Sequence, residues 1–514
     1  MNRPAPFRSI LCAGLAGAAL AACSLAPEYR RPAMPVSTAY APELAPGTEG
    51  AAAGAAATEI GWRSFFVDPR LQRLIALALA NNRDLRQAVL RIEEARAQYR
   101  IQRSELLPNL TLDGSATRTR SNISGAGRGA GGGGPGDGPG EDGGALPGGR
   151  ATFSRYQIGV SVPAFELDFW GRVRSLTDAA RAAYLATIEA QRAFRLSLIA
   201  DVATVYLVER EFAERIRLAE QTVRSRRESL EISKLRLDVG ATSALDYRQT
   251  ETLLTQAETE LALLQRQRAQ NRNAMQVLIG GPLPEDLPPP LPLGSQALIR
   301  PINAGLPSDL LVNRPDILAA EEELRAANAN IGAARAAFLP RISLTGFHGF
   351  ASTELDRLFG EDGESWSYGP VLSMPLFDAG RTGANVDLAV ARRDIAVANY
   401  ELTIQTAFRE VADALAARRW LAEQIAAQER GLIAERDRAE LADLRYRNGV
   451  ADYIEVLDAQ RQLFAAEQQL VQTRQAQLSN AVALYVALGG GLLETSPTVA
   501  AEAIPPDSAP APRR

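Results

Sequence analysis

The sequence predicts a mostly α fold with a small β part, a duplicated repeat of long coiled-coil helices plus four strands. Three observations carry this. Motifs recur at fixed offsets along the 514 residues. Two runs rich in Ala, Leu, Arg and Glu are far longer than ordinary globular helices. Four short stretches alternate apolar and polar residues with a period of two.

The duplication has a checkable register. "NNRDLRQA" at 81–88 matches "NRPDILAA" at 313–320, and "LLPNLTLDG" at 106–114 matches "FLPRISLTG" at 338–346. Asp84 and Asp316 are 232 residues apart, as are Pro108 and Pro340. Further on, "VPAFELDFWGR" at 162–172 answers to "MPLFDAGR" at 374–381, and "RLDVG" at 236–240 to "RYRNG" at 445–449. From Gly171 and Gly380 onward the offset is 209, because the first repeat is longer between its strands. Each repeat thus reads as helix, strand, loop, strand, long helix, break, long helix. The first spans 61–300 and ends in a Pro-rich linker, the second spans 301–491, and 492–514 reads as a disordered tail.

The N-terminus comes first in chain order. Arg3 and Arg8 precede the apolar run "ILCAGLAGAALAAC", too short and too alanine-rich to span a bilayer. Residues 1–22 read as a signal peptide, and Leu20-Ala21-Ala22-Cys23 across its end resembles the lipobox of bacterial lipoproteins. That resemblance implies an N-acyl diacylglyceryl group on Cys23 and a lipid-anchored, extended segment over 23–60. Ser24 follows the cysteine where inner-membrane lipoproteins carry Asp, which implies the outer membrane. Cys12 leaves with the signal, so the mature chain has no thiol pair and no disulfide.

The strands alternate clearly. Leu110, Leu112, Gly114 and Ala116 share one face of the first, with Thr111, Asp113, Ser115 and Thr117 opposite. Tyr156, Ile158, Val160 and Val162 share a face of the second, and Ile342 and Leu344 a face of the third. Trp366, Tyr368, Leu372 and Met374 line one side of the fourth. Such a pattern suits a lipid-exposed barrel wall around a wet lumen, and equally a half-buried sheet. The Gly-rich loop at 121–150 is low-complexity, and its G-x-G-x-x-G matches lack the strand-to-helix setting of a nucleotide site.

The helices are long. From Val173 to about Leu237 there is no Pro or Gly, a run on the order of 95 Å at ~1.5 Å per residue, and the run from about Asn385 to Arg447 is similar in length. Gly240 and Gly449 mark the turns after them. Beyond Gly449, the residues Glu455, Asp458 and Arg461 recur at steps of three, so they lie on one face of the resumed helix.

Composition excludes several classes. With 56 basic and 60 acidic residues the charge is close to balance, which argues against a nucleic-acid partner. His348 is the only histidine, so His-based metal sites and Ser-His-Asp triads are unavailable. Carboxylate pairs such as Glu321 and Glu322 lie in charge-mixed helical runs and read as solvated faces. The chain reads as a non-enzyme with neither catalytic nor metal-binding residues.

A set of long motifs then carries a family resemblance. They are "CSLAPEYRRP" from Cys23, "IGWRSFF" from Ile60, "NNRDLR" from Asn81 and "ELDFWGR" from Glu166. In the second repeat they are "RPDILAAE" from Arg314, "ANANIGAARAAFLPRISLT" from Ala327, "FREVADALAAR" from Phe408 and "LDAQR" from Leu457. The chain resembles the TolC family of outer-membrane efflux channels, in its lipoprotein branch with OprM and the NodT-type proteins. The resemblance implies a homotrimer pooling its strands into a twelve-stranded outer-membrane β-barrel, continued by a periplasmic α-helical barrel. It implies a periplasmic adaptor (membrane fusion) protein and an inner-membrane pump of the resistance-nodulation-division type as partners. It also implies a gate at the periplasmic tip built from Tyr446, Ile454, Glu455, Asp458 and Arg461, with Asp246 as its partner in the first repeat. Ala451 stands where TolC itself has a gate arginine. Passive conduction of drugs or other toxic small molecules is the implied function. A lipid-anchored structural coiled-coil envelope protein is the alternative from another class, and the same channel serving heavy-metal export is a second.

Overall fold

The computed structural model describes residues 24–40, 56–123, 149–296 and 307–496. Cys23, most of the Gly-rich loop and residues 497–514 lie outside them, so the expectations for these fall outside the described structure. The first repeat comprises α1 (Trp62–Phe65), α2 (Pro69–Asn81), α3 (Arg83–Ser104), β1 (Thr111–Ile123), β2 (Gly149–Glu166), α4 (Arg172–Asp238) and α5 (Ala244–Leu278). The second comprises α6 (Leu310–Asn313), α7 (Pro315–Ala336), β3 (Arg341–Ser352), β4 (Glu364–Ser373), α8 (Arg381–Arg447) and α9 (Tyr453–Ala487).

The predicted fold class holds, and the duplication is kept nearly to the residue. Helices α3 and α7 are each 22 residues long and start 232 apart. Helices α4 and α8 are each 67 residues, α5 and α9 each 35, and both pairs start 209 apart. Helix α8 starts at Arg381, earlier than the sequence suggests, because Asp378 caps it. The Asp378 carboxylate accepts from the Thr382 amide at 2.9 Å and from the Gly380 amide at 3.1 Å, which carries the helix through Gly383.

Contacts within the chain divide it into two compact units, one built from 24–29, 97–180 and 327–392, the other from 30–96, 181–326 and 393–496. The first unit holds the sheet. Its strands are antiparallel in the order β1-β2-β3-β4, so β1 and β4 are open edges. The register aligns Leu112 with Val160, Val160 with His348, and His348 with Trp366. Residues directly opposite share a face, so the four alternating patterns merge into one apolar face. The other face carries Thr111, Asp113, Gln157, Ser161, Thr345 and Ser367. A bulge between Val162 and Phe165 shifts the register of β2 near its end. On Gly159, a Cβ would lie 2.7 Å from both the Gly349 backbone and the Phe347 ring, so glycine there lets the aromatic ring lie against the strand.

The second unit packs around aromatic side chains. Trp62, Phe65, Phe66, Leu71, Ile75, Tyr206 and Tyr485 are fully buried, and the rings of Phe65 and Tyr485 stack at 4.0 Å. Buried Asp68 caps α2 by accepting from the Arg70 amide at 2.8 Å, and it also accepts from Tyr206 Oη and Gln296 Nε2. Both of its oxygens are thereby hydrogen-bonded, as a buried carboxylate requires.

Two expectations change here. Glu321 is not on a solvated face: it is 2% exposed, accepts from Arg31 Nη2 at 2.7 Å and from Arg325 Nη2 at 2.8 Å. Glu322 is half-buried and pairs with Arg325 at 2.6 Å. The reason is non-local, because residues near Arg31 cover this part of α7 and helix periodicity alone cannot show it. Residues 493–496, at the start of the segment read as a tail, are also tied down. Their Leu493 and Glu494 carbonyls accept from the amides of Trp62 and Arg63 at 3.0 Å, and the Arg63 and Glu494 side chains pair at 2.6 Å.

Candidate functional site

The two helical turns, α4 to α5 and α8 to α9, carry the candidate gate residues. Both turns are built alike. Gly240 and Gly449 sit at φ of 73° and 71°, a left-handed conformation that costs an L side chain strain. The amide of Gly240 donates to the Leu237 carbonyl and that of Ala241 to Arg236; Gly449 donates to Tyr446 and Val450 to Arg445. This is the Schellman arrangement, which satisfies the last carbonyls of a helix and reverses the chain.

The restart of the helix differs between the repeats. Asp246 closes a capping box: its amide donates to Ser243 Oγ at 3.1 Å while its carboxylate accepts from Ser243 and Thr242. The Ser243 hydroxyl holds the Asp246 carboxyl below the usual range. At the equivalent place 209 residues on, Asp452 makes no side-chain cap and Glu455 pairs instead with Arg445 at 3.4 Å. The carboxylate that is bound locally in the first turn is free to face across the hairpin in the second.

Around the second turn the charges are paired within the chain. Asp458 accepts from Arg438 Nη2 at 2.6 Å and from Arg461 Nη2 at 2.7 Å. The Arg438 hydrogen bond dominates, and it holds the Asp458 carboxyl below the usual range. Beneath this exposed face, Ala442, Val456 and Ala459 form a small buried cluster against Tyr446 and Tyr453.

The two hairpins meet through aromatic side chains. Arg236, from the first, donates to the Tyr446 hydroxyl of the second, and its guanidinium lies 5.4 Å from the Tyr446 ring centroid. Tyr446 and Tyr453 rings pack at 4.9 Å. Burial pushes the Tyr453 hydroxyl above its ordinary range, opposed by hydrogen bonds with Thr250 and Ser229 of the first hairpin. Arginine is thus present at this junction although position 451 is alanine.

Of the six residues expected at the gate, the structure puts Asp458 with Arg461 and leaves Glu455 on a separate partner. Asp246 is engaged in its own cap rather than with the second turn. Ile454 is 58% exposed, and so is its repeat equivalent Leu245 at 66%. Leu245, Arg236, Arg438 and Arg445 are absent from the sequence expectation. The 209-residue offset from Ile454 points directly to Leu245, whereas the arginine pairings depend on the meeting of helices distant in sequence.

Comparison with known proteins gives the geometry its setting. The family model for outer membrane efflux proteins matches residues 74–281 and 306–490. The two matches start 232 residues apart and end 209 apart, the offsets of the internal duplication. The chain is 45% identical over 472 residues to the solvent efflux pump outer membrane protein SrpC of Pseudomonas putida, covering 92% of this chain and 96% of that one. It is 42% identical over 489 residues to the antibiotic efflux pump outer membrane protein ArpC of the same species, covering 95% and 96%. Among solved structures, the open state of the Neisseria gonorrhoeae MtrE outer membrane channel is similar at a TM-score of 0.79 and 37% identity, covering 92% of this chain and 100% of that one. The chain therefore belongs to the outer membrane efflux protein family and is an efflux channel of the outer membrane.

Proposed function

We propose that three copies of the chain form the exit duct of a tripartite efflux pump, anchored by a lipid on Cys23 and gated at the α4–α5 and α8–α9 turns. The observation that carries the assembly is the sheet. The four strands among the described residues, with two open edges, are too few to close a membrane barrel, for which about eight is the smallest size. Edges exposed in lipid leave backbone groups unpaired, so closure requires strands from other copies. Three copies give twelve strands, an even number in the range of outer-membrane barrels.

The proposed gate follows from threefold repetition of the second turn. Three copies of Glu455 and Asp458 near one axis make a ring that attracts cations and repels anions, and Ile454 and Leu245 add apolar side chains to the constriction. The ion pairs to Arg438, Arg445 and Arg461 hold those carboxylates in place within each copy. Cargo reaches the duct from an inner-membrane pump of the resistance-nodulation-division type through a periplasmic adaptor. The names of SrpC and ArpC favour organic solvents and antibiotics as its class.

Planar-bilayer recording of the purified protein tests this. A small resting conductance that rises in a Glu455→Ala, Asp458→Ala double variant supports a gated duct. Silence of both proteins, with no oligomer surviving in mild detergent, would favour the structural coiled-coil alternative.

A further inference from the structure

Beyond Ala116 the outward face of the sheet changes character. Continuing the row of Leu112, Gly114 and Ala116 along β1, the next two positions on that face are Arg118 and Arg120, both exposed. Their direct neighbours on β2 are Ser154 and Thr152. Two guanidiniums and two hydroxyls thus share adjacent rows of one face. Across the sheet the same face carries Trp366 and Tyr368, exposed and stacked at 5.5 Å.

The spacing along the strand gives this cluster a depth. From Leu110 to Arg120 is ten residues, about 33 Å along an extended strand and about 25 Å along the membrane normal at ~40° tilt. That is about the height of the apolar band of an outer-membrane barrel. Arginine on a lipid-facing surface is most costly at the midplane and tolerated at the boundary, so this placement fits the far headgroup layer. Arginine forks and hydroxyls are also the donors best matched to phosphate oxygens.

We infer that Arg118 and Arg120, with Ser154 and Thr152, form a binding site for the phosphate groups of the anionic glycolipid of the outer leaflet. The inference rests on the reading of the sheet as part of an outer-membrane barrel wall. The occupant is chosen by charge complementarity: exposed cations at the end of an apolar face, where an uncharged headgroup would leave them without counter-charge. The guanidiniums clasp phosphate at one end of the apolar face, while Trp366, level with Leu112, and Tyr368 mark its other end.

The test uses the full-length purified protein in phosphatidylcholine nanodiscs doped with bis-phosphorylated lipid A or with dephosphorylated lipid A. Retained lipid A is counted by native mass spectrometry, and conductance in planar bilayers is recorded in parallel. The wild-type protein is expected to retain the phosphorylated form about tenfold over the dephosphorylated one, a preference within reach of a few charged hydrogen bonds. The Arg118→Ala, Arg120→Ala double variant should lose that preference while still conducting. Arg155→Ala, on the opposite face beside Thr117, should keep it. Equal retention by the wild type and the double variant, with both conducting, overturns the glycolipid site alone. Failure of the wild-type chain to insert or conduct overturns both the site and the barrel reading beneath it.

Discussion

At the scale of single residues, the turn glycines and the Asp458 carboxylate make separable predictions. A Cβ on Gly240 or Gly449 meets nothing within 4 Å, so alanine there costs only the left-handed strain, about 1 kcal/mol. Gly280 also has positive φ, but a Cβ there would lie 2.2 Å from the Asn81 carbonyl oxygen. Gly280→Ala should therefore lower the midpoint of chemical unfolding far more than Gly449→Ala, and equal shifts would refute the steric reading. Asp458 behaves differently with pH. Its folded carboxyl is held below the ordinary range chiefly by Arg438, so the contribution of that pair is present above the unfolded value. It is lost only as pH falls through the lowered folded value. Conductance should stay low across the mildly acidic range and rise only below the usual carboxylate range; opening already near pH 6 would show that other groups control the tip.

Between elements, the junction of the two hairpins rests on Arg236 and the Tyr446–Tyr453 pair. Tyr446→Phe removes the hydroxyl but keeps the ring under the guanidinium, whereas Arg236→Ala removes the hydrogen bond and the cation–π contact together. Resting conductance should therefore rise more in Arg236→Ala than in Tyr446→Phe, and the reverse order would exclude Arg236 as the link. The helices and strands themselves were legible, because each is written in local periodicity and the second copy repeats the first. Gly240 and Gly449 were legible as turns for the same reason. The pairing of Arg236 with Tyr446 was not, since 210 positions separate residues that only helix packing brings together. Glu321 failed for a related reason. Its charge-mixed helix looks solvated until the N-terminal segment is laid over it.

For the molecule as a whole, the N-terminal stretch at Arg31 is bound into the second unit by Glu321 and is no loose leash. Glu321→Ala removes an acceptor shared by Arg31 and Arg325, the latter keeping Glu322, and should cost about 2 kcal/mol, discounted because both arginines are partly exposed. Limited proteolysis should then cut near Arg30 and Arg31 while the long helices remain intact; unchanged protection would mean that other contacts, such as Asn328 Nδ2 to the Pro27 carbonyl, retain the segment. One asymmetry of the duplicated turns has a mechanical meaning. Helix α5 starts behind a closed capping box, whereas α9 starts with no side-chain cap at all. A cap contributes about 1 kcal/mol to the first turn. Under load or heat, α9 should fray first, and hydrogen exchange should be faster at Glu455 and Val456 than at Asp246 and Tyr247. Two hairpins of matched length are thus springs of unequal stiffness, and the softer one carries Glu455 and Asp458.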